Sequence, residues 1–209
     1  FVMTIFVLVI LLVVLLEEGV HLGNEQAFRE ALFNVTSIIS GTGFSSVDYM
    51  QWGSFAVALF FFMGLIGGCA GSTACSVKIF RYQLLFASIR AQLRRIRSPH
   101  GIFTPRYDGR PVTEEVLASV MSFFVFFIVT LGLVSVALSM TGLDFVTSIS
   151  GAATALANVG PGLGDIIGPA GNFATLNDPA KWILTLAMLL GRLELMVVYV
   201  IFTVKFWRA

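Results

Sequence analysis

Apolar residues fall into four long runs along this chain. Three runs carry no charged residue, and they are Phe1–Leu16, Tyr49–Val77 and Val116–Leu143. The fourth, Trp182–Val204, is interrupted only by Arg192 and Glu194. Since a helix crosses the hydrocarbon core of a bilayer with roughly 20 apolar residues, the pattern predicts four spanning helices in an all-α membrane protein.

A shorter and more polar segment lies inside each half of the chain. Gln26–Ser40 follows the first apolar run, and Phe145–Ala157 follows the third. Segments of this length suit re-entrant half-helices better than membrane spans. Each leads into a glycine-rich stretch, Ser40–Ser46 or Asn158–Gly164, where glycine and proline end a helix and permit unusual backbone angles.

The order helix, half-helix, glycine loop, helix therefore occurs twice. Thr42–Phe44 and Val159–Pro161 hold matching places after the two half-helices, and VKIFR (Val77–Arg81) resembles VKFWR (Val204–Arg208) as the end of a second helix. Chance rarely reproduces order and local sequence together. The sequence thus predicts two tandem helix–pore-loop–helix repeats, 1–81 and 113–209, joined by a linker, 82–112.

Charge is scarce and unevenly distributed. Charged residues make up 12% of the 209 residues and hydrophobic residues 57%, whereas a soluble domain carries about 25% charged residues. Eight of the thirteen Lys and Arg residues lie between Lys78 and Arg110. The preference of basic residues for the cytoplasmic side then predicts a cytoplasmic linker and places both glycine loops outside.

The predicted outer segments are acidic. They carry eight acids against two bases: Glu17, Glu18, Glu25, Glu30, Asp48, Asp144, Asp165 and Asp178, with Arg29 and Lys181. An anionic vestibule of this kind concentrates cations at an entrance. Ordinary solvated outer loops would show a similar excess of acids, so both interpretations remain open.

The two glycine loops are candidates for a cation filter. Non-helical backbone at membrane depth is costly unless protein or a water-filled cavity surrounds it, and backbone carbonyls can replace the hydration shell of an ion. The partially negative C-terminal end of each half-helix also favours a cation there. A single loop of this type is more typical of a tight outer turn, but two loops in matching places favour a filter.

The sequence here resembles a known family. FNVTSIISGTGFSSVDY (Phe33–Tyr49) and ALANVGPGLGDIIGPAGNF (Ala155–Phe173) resemble the third and fourth pore loops of the Trk/Ktr/HKT superfamily of potassium transporters, TrkH type, and the resemblance covers nearly the whole chain. Members have four such repeats around one pore. The resemblance thus implies a C-terminal half whose first two repeats lie outside this chain, and it implies potassium uptake across the inner (plasma) membrane.

The resemblance also implies which residues form the filter. They are Gly41, Thr42, Gly43 and Phe44 in the third repeat and Asn158, Val159, Gly160 and Pro161 in the fourth. The transported potassium ion would bind the carbonyls of Thr42, Gly43, Val159 and Gly160, of which Gly43 and Gly160 are the key glycines. No organic cofactor and no catalytic site are expected.

A run of glycine and small residues, GLIGGCAGSTACS (Gly64–Ser76), lies in the second apolar run. Small residues suit close helix packing, whereas a break in a membrane helix commonly marks an ion path. TrkH-like proteins have a gating loop in the corresponding helix, so the resemblance favours the break. The gate candidates are Gly67, Gly68, Gly71, Ser72 and Thr73.

Arg192 lies near the middle of the last apolar run. A charge at that depth is expensive and usually faces a cavity or a partner, which leaves a structural ion pair or a functional role. The resemblance implies a gating role beneath the filter, where a fixed positive charge raises the barrier to a passing cation.

Partners follow mostly from the resemblance. The basic linker is expected to contact the headgroups of membrane lipid, and the resemblance implies a homodimer and a docking face for a cytosolic nucleotide-binding regulatory subunit of the Trk type. No P-loop or Rossmann fingerprint is present, and no nucleic-acid partner is expected. The alternatives are a secondary transporter of a small solute with discontinuous helices, a membrane enzyme or a non-conducting scaffold subunit. The isolated His21 and His100 argue against the enzyme.

Overall fold

The computed structural model describes residues 2–19, 24–68, 76–98, 101, 103–193, 198–200 and 207. Helices dominate this part of the chain: α1 (Val2–Gly19), α2 (Asn24–Ser40), α3 (Ser54–Leu65), α4 (Ile79–Arg97), α5 (Glu114–Ser139), α6 (Phe145–Ala157) and α7 (Asp178–Arg192). Four strands of two residues each complete the regular structure: β1 (Ile66–Gly67), β2 (Val77–Lys78), β3 (Arg106–Tyr107) and β4 (Arg110–Pro111). The predicted all-α fold with two helix–pore-loop–helix repeats is confirmed.

Both predicted half-helices are present as α2 and α6. Helix α6 begins where the Asp144 carboxylate accepts a hydrogen bond from the Thr147 backbone N–H at 3.1 Å, which satisfies a donor that the first turn would leave free. Helix α2 packs on α1, and α6 packs between α5 and α7. Each half-helix therefore packs against helices of its own repeat, and α6 also contacts α3 of the first repeat.

Helix α5 is 26 residues long, which corresponds to about 39 Å at a rise of 1.5 Å per residue. Among the described residues it is the one helix that is both long and apolar enough to cross a membrane. Large apolar side chains remain exposed along it, including Val125, Ile128, Leu133 and Val136. Soluble monomers rarely expose contiguous apolar surface of this extent, so the exposed face of α5 is suited to contact with lipid.

The second apolar run of the sequence does not form one continuous helix. Tyr49–Trp52 is a 3₁₀ turn, α3 ends at Leu65, and α4 begins only at Ile79. Between them, β1 pairs in parallel with β2, with Ile66 opposite Val77. The Ser76 hydroxyl donates to the Gly64 carbonyl at 2.9 Å, which ties the two sides of the break together.

One sequence expectation about this break is wrong. The sequence predicts that Val77–Arg81 ends a helix in the same way as Val204–Arg208, but Val77 and Lys78 form β2 and Ile79–Arg81 is the first turn of α4. The likeness of the two pentapeptides therefore does not mark matching helix ends. Of the second pentapeptide, the structure describes Trp207 alone.

The first half of the predicted basic linker is helical. Helix α4 covers residues 82–97 of it, and an antiparallel hairpin of β3 and β4 follows, with Arg106 opposite Pro111. The boundary predicted after Arg81 falls inside α4. The Arg81 guanidinium lies 3.8 Å from the ring centroid of Phe123, and this contact holds the start of α4 against α5.

The two repeats share their hydrophobic cores. One core contains residues of α1, α2 and α3 together with Val159 and Leu163 from the second repeat. The other contains residues of α5, α6 and α7 together with Val77 from the first. This exchange joins the repeats at the second glycine loop and at the break between α3 and α4.

Candidate functional site: the paired glycine loops

The first glycine loop begins with a Schellman motif at the end of α2. Gly41 has a positive φ of 73°, its backbone N–H donates to the Ile38 carbonyl at 3.1 Å, and the Thr42 N–H donates to the Ser37 carbonyl at 3.0 Å. This pattern requires a left-handed residue just after the helix, which glycine supplies at little cost. The helix therefore stops at Ser40, and Gly41–Phe44 continues as non-helical backbone.

The second loop repeats this motif at the end of α6. Asn158 has φ 53°, its N–H donates to the Ala155 carbonyl at 3.3 Å, and the Val159 N–H donates to the Thr154 carbonyl at 3.1 Å. Asparagine is the residue other than glycine that enters the left-handed region most readily. The two half-helices thus end in the same way, with their partially negative ends directed at the two loops.

The two loops meet at the predicted key glycines. A Cβ atom at Gly43 would overlap the carbonyl oxygen of Val159, and a Cβ atom at Gly160 would lie 3.4 Å from the Cα of Gly43. Both glycines also have positive φ, 78° and 122° respectively. Glycine is required at these positions for its backbone angle and, at Gly43, for space.

A buried asparagine fastens the first loop to its half-helix. The Asn34 side chain is fully buried in α2. Its amide nitrogen donates to the Ser46 hydroxyl at 2.9 Å, and its amide oxygen accepts from the Ser46 backbone N–H at 3.2 Å. The Ser46 hydroxyl also bonds the Glu30 carboxylate. These bonds fix the position of the residues that follow Phe44 relative to α2.

A buried serine and a threonine do the same for the second loop. The Ser150 hydroxyl donates to the Leu163 carbonyl and accepts from the Leu163 N–H, both at 3.0 Å. The Thr154 hydroxyl accepts from the Gly160 N–H at 3.0 Å. These bonds use different residues from those of the first repeat, yet they clamp the same part of the loop.

The residues that hold the loops in place were not predicted from the sequence. A signal was present, because Asn34, Ser150 and Thr154 are polar residues with apolar sequence neighbours on either side in the two half-helices. Buried polar side chains almost always find hydrogen-bond partners. The partners, Ser46 and Leu163, are 12 and 13 residues away and carry no recognisable signature.

An aromatic cluster from the 3₁₀ turn and α3 packs near the second loop. Tyr49, which is buried, stacks on Phe60 with ring centroids 4.1 Å apart, and Trp52 packs against the same ring at 5.9 Å. A cavity of about 30 Å³ lies between this cluster and the second loop, bordered by Thr154, Val159 and others. Dense packing here limits how far the loops can move outward.

The predicted gate residues are described only in part. Gly67 and Gly68 are buried at the break between α3 and α4, where the Gly68 carbonyl accepts a hydrogen bond from the Ile79 N–H at 3.3 Å. Gly71, Ser72 and Thr73 lie outside the described residues. The structure therefore contains the break between α3 and α4 that a gating loop requires. The residues in the middle of this break are not among the described residues.

Arg192 is the last residue of α7, in the turn that contacts the end of α6. A Cβ atom at its neighbour Gly191 would overlap the Leu156 carbonyl oxygen, so α7 contacts α6 directly there. The Asn158 side chain adds a hydrogen bond to the Met188 carbonyl at 3.1 Å. Arg192 is consequently placed at the level where α6 ends and the loop begins.

Several acids of the predicted vestibule have local partners. Arg29 pairs with Glu25 at 3.1 Å, and Lys181 lies 3.9 Å from Asp178, so the two bases of this face are both beside acids. The side chain and backbone of Thr147 donate to Asp144 and hold the pKa of that carboxyl below its ordinary value. The charge near α6 therefore persists to more acidic pH than for a free aspartate.

Two tandem pore-loop repeats whose loops meet at left-handed glycines define a membrane protein of the pore-loop class. The chain belongs to the TrkH family of cation transport proteins, whose family model matches residues 1–208. The resemblance that the pore loops indicated is thereby confirmed.

Named relatives and a solved structure support this membership. The chain is 48% identical over 182 residues to the Trk system potassium uptake protein TrkI of Halomonas elongata, covering 87% of this chain and 37% of that protein. It is 36% identical to the TrkH protein of Vibrio parahaemolyticus, covering 98% of this chain and 42% of the relative. The crystal structure of the potassium transporter TrkH from Vibrio parahaemolyticus matches with a TM-score of 0.91 and 32% identity, covering 99% of this chain and 44% of that chain. The chain thus spans about two fifths of the length of these relatives.

Proposed function

We propose that this chain forms two of the repeats of a channel-like transporter that takes up potassium across the cell membrane. The observation that carries the proposal is the meeting of Gly43 and Gly160 in two loops that each follow a short helix with a Schellman end. The relatives named as potassium uptake proteins support potassium as the ion.

The filter would use the carbonyls of Thr42, Gly43, Val159 and Gly160. Positive φ at the two glycines turns the peptide units in a way that side-chain-bearing residues rarely allow. The clamps at Ser46, Leu163 and Gly160 hold the loops at fixed heights, which supports a site that replaces the hydration shell of an ion without large rearrangement. The remaining sides of the filter would come from repeats outside this chain.

Gating is proposed at the helix break and at Arg192. Gly67 and Gly68 lie in the break, the proposed gate residues Gly71, Ser72 and Thr73 fall outside the described residues, and Arg192 is the last residue of α7. A positive charge there would oppose a passing cation, so opening would require movement of the break or of the arginine side chain. The contact of Gly191 with Leu156 supports a coupling between α7 and the loop.

Placement in the membrane follows from charge. The basic residues of α4 and the hairpin favour the cytoplasmic side, and the acids beside α2 and α6 favour the outer side of an inner (plasma) membrane crossed several times. We propose that the protein dimerises and that this cytoplasmic face receives a nucleotide-binding regulatory subunit of the Trk type. The name "Trk system" of the relatives supports an assembly of several components.

The filter assignment is tested with Gly43→Ala and a matched control. Gly109 has φ 75°, close to the 78° of Gly43, but a Cβ atom there would meet nothing within 4 Å. Gly109→Ala therefore adds the same backbone strain without the clash. Potassium and sodium flux are measured in liposomes that hold the full-length protein carrying each variant, with Gly160→Ser as a third variant.

The expected result is that Gly43→Ala and Gly160→Ser lose potassium selectivity, while Gly109→Ala keeps it. Selectivity retained in both filter variants would remove the loops from the ion path. No cation flux from the unchanged protein would favour a secondary transporter of a small solute, for which the discontinuous second helix is the supporting feature.

A further inference from the structure

Helix α4 and the hairpin that follows it enclose a groove lined by arginines. Its deeper part has a volume of about 440 Å³ and is lined by Arg90, Arg94 and Arg106 with Thr104 and apolar neighbours. A shallower part of about 480 Å³ continues past Arg90 and Arg106 to Phe86 and Asp108. The two parts share Ala87, Arg90 and Arg106, so they form one continuous groove.

The three arginines are clustered by the fold. Arg90 and Arg94 are four residues apart on α4 and lie on one face of the helix. Arg106 reaches the same groove from β3, which packs on α4. Within the part of the chain that the structure describes, no ion pair is formed by any of the three, and the deeper part of the groove has no acidic residue in its lining.

Three unpaired cations around one space repel each other and attract an anion. Guanidinium groups present a planar fork that matches a phosphate group with two parallel hydrogen bonds. The Thr104 hydroxyl adds a neutral donor to the same lining. Asp108 lies only in the shallower part, so an anion is favoured at the deeper end.

An apolar stripe runs beside the groove along α4. Phe86, Ile89, Leu93 and Ile96 are all exposed, and their spacing of three, four and three residues places them on one helix face. Arginines occupy the adjacent face. A helix with a basic face next to exposed apolar side chains is typical of the membrane interface, where the apolar side enters the acyl boundary and the basic side meets headgroups.

We propose that this groove is a binding site for the phosphate group of an anionic phospholipid, held by Arg90, Arg94 and Arg106. The acyl chains would lie along Phe86, Ile89 and Leu93. This assigns a defined lipid site, with named ligands, to a region whose charge alone indicates only general attraction to a membrane. It is independent of the filter, because none of its residues lies in the glycine loops.

The test compares two triple variants of the full-length protein by native mass spectrometry during titration with phosphatidylglycerol. Arg90→Gln, Arg94→Gln and Arg106→Gln remove the groove ligands together. The control combines Arg95→Gln, Arg97→Gln and Arg110→Gln, which removes the same charge from residues outside the groove lining. All six residues are exposed, so folding should be preserved, and size-exclusion profiles verify this.

The groove variant is expected to bind phosphatidylglycerol at least about tenfold more weakly than the control, since each arginine contributes favourably to contact with an anionic headgroup. Equal losses in both variants would indicate a diffuse basic surface and overturn the site. Unchanged binding in the groove variant would overturn it as well.

A second arm separates the lipid from soluble phosphate compounds. Glycerol 1-phosphate and inorganic phosphate offer the same group without acyl chains, and they are used as competitors. Weak competition by both supports the lipid. Competition as strong as that of phosphatidylglycerol would overturn the lipid assignment and make the groove a site for a soluble phosphate compound.

Discussion

Removal of the Ser150 hydroxyl should destabilise the second glycine loop measurably. In Ser150→Ala, the backbone N–H and the carbonyl of the buried Leu163 both lose their partner at 3.0 Å. Each buried polar group left without a partner costs about 1–3 kcal/mol, so we expect a loss of about 2–4 kcal/mol in the free energy of unfolding, with some relaxation of the loop.

The assay is a titration with SDS in mixed micelles, together with the flux measurement in liposomes. Ser135→Ala is the matched control. The Ser135 hydroxyl donates to the Leu131 carbonyl at 2.7 Å within α5, and that carbonyl keeps its helical backbone donor. The control should therefore change the free energy of unfolding by only about 0.5 kcal/mol.

Potassium selectivity should fall together with stability in Ser150→Ala, because Leu163 closely follows the proposed filter segment in the chain. Equal stability of the two serine variants would refute the reasoning that this hydroxyl clamps the loop. A loss of stability with full potassium selectivity would show that the clamp serves the fold and not the filter.

Two further predictions concern charges. Arg192→Ala should raise cation flux at equal expression, because it removes a positive charge from the proposed gate at the C-terminal end of α7. Lys181→Ala, in the first turn of the same helix, should leave flux unchanged. Flux in Arg192→Ala equal to that of the unchanged protein would count against the proposed gate. The lowered pKa of Asp144 predicts that its helix cap contributes fully above the ordinary aspartate pKa of about 3.9 and is lost as the pH falls through the lower folded value. The difference in unfolding free energy between the protein and Asp144→Ala should thus stay constant from about pH 7 to pH 5 and shrink below about pH 4, whereas a difference that does not change over this range would contradict the cap.

The sequence alone predicted the repeats because their signals are local. Apolar runs, short half-helices and glycine clusters each report on a stretch of neighbouring residues, and their order can be read directly from the chain. The bounds of α6 agree with the predicted Phe145–Ala157, since Asp144 caps its start and Asn158 ends it in the left-handed region. The key glycines could be named for the same reason, together with the family resemblance.

Other features required the tertiary structure because they depend on contacts between distant residues. The sequence of Val77–Arg81 is typical of a helix end. In the structure, Val77 pairs with Ile66 in a strand, and the rest of the segment begins α4. A serine or asparagine among apolar residues of a helix predicts a hydrogen bond, but the sequence does not identify its partner. Only the fold brings Leu163 to Ser150.

The amino-acid sequence by itself determined the membrane character, the double repeat and the glycines of each loop, since periodicity and backbone freedom are properties of neighbouring residues. Only the tertiary structure decided that Gly43 lies against the Val159 carbonyl and that Arg106 joins Arg90 and Arg94 in one groove. The physical reason is that such contacts depend on how whole elements pack, and packing is set by all the residues of both elements at once.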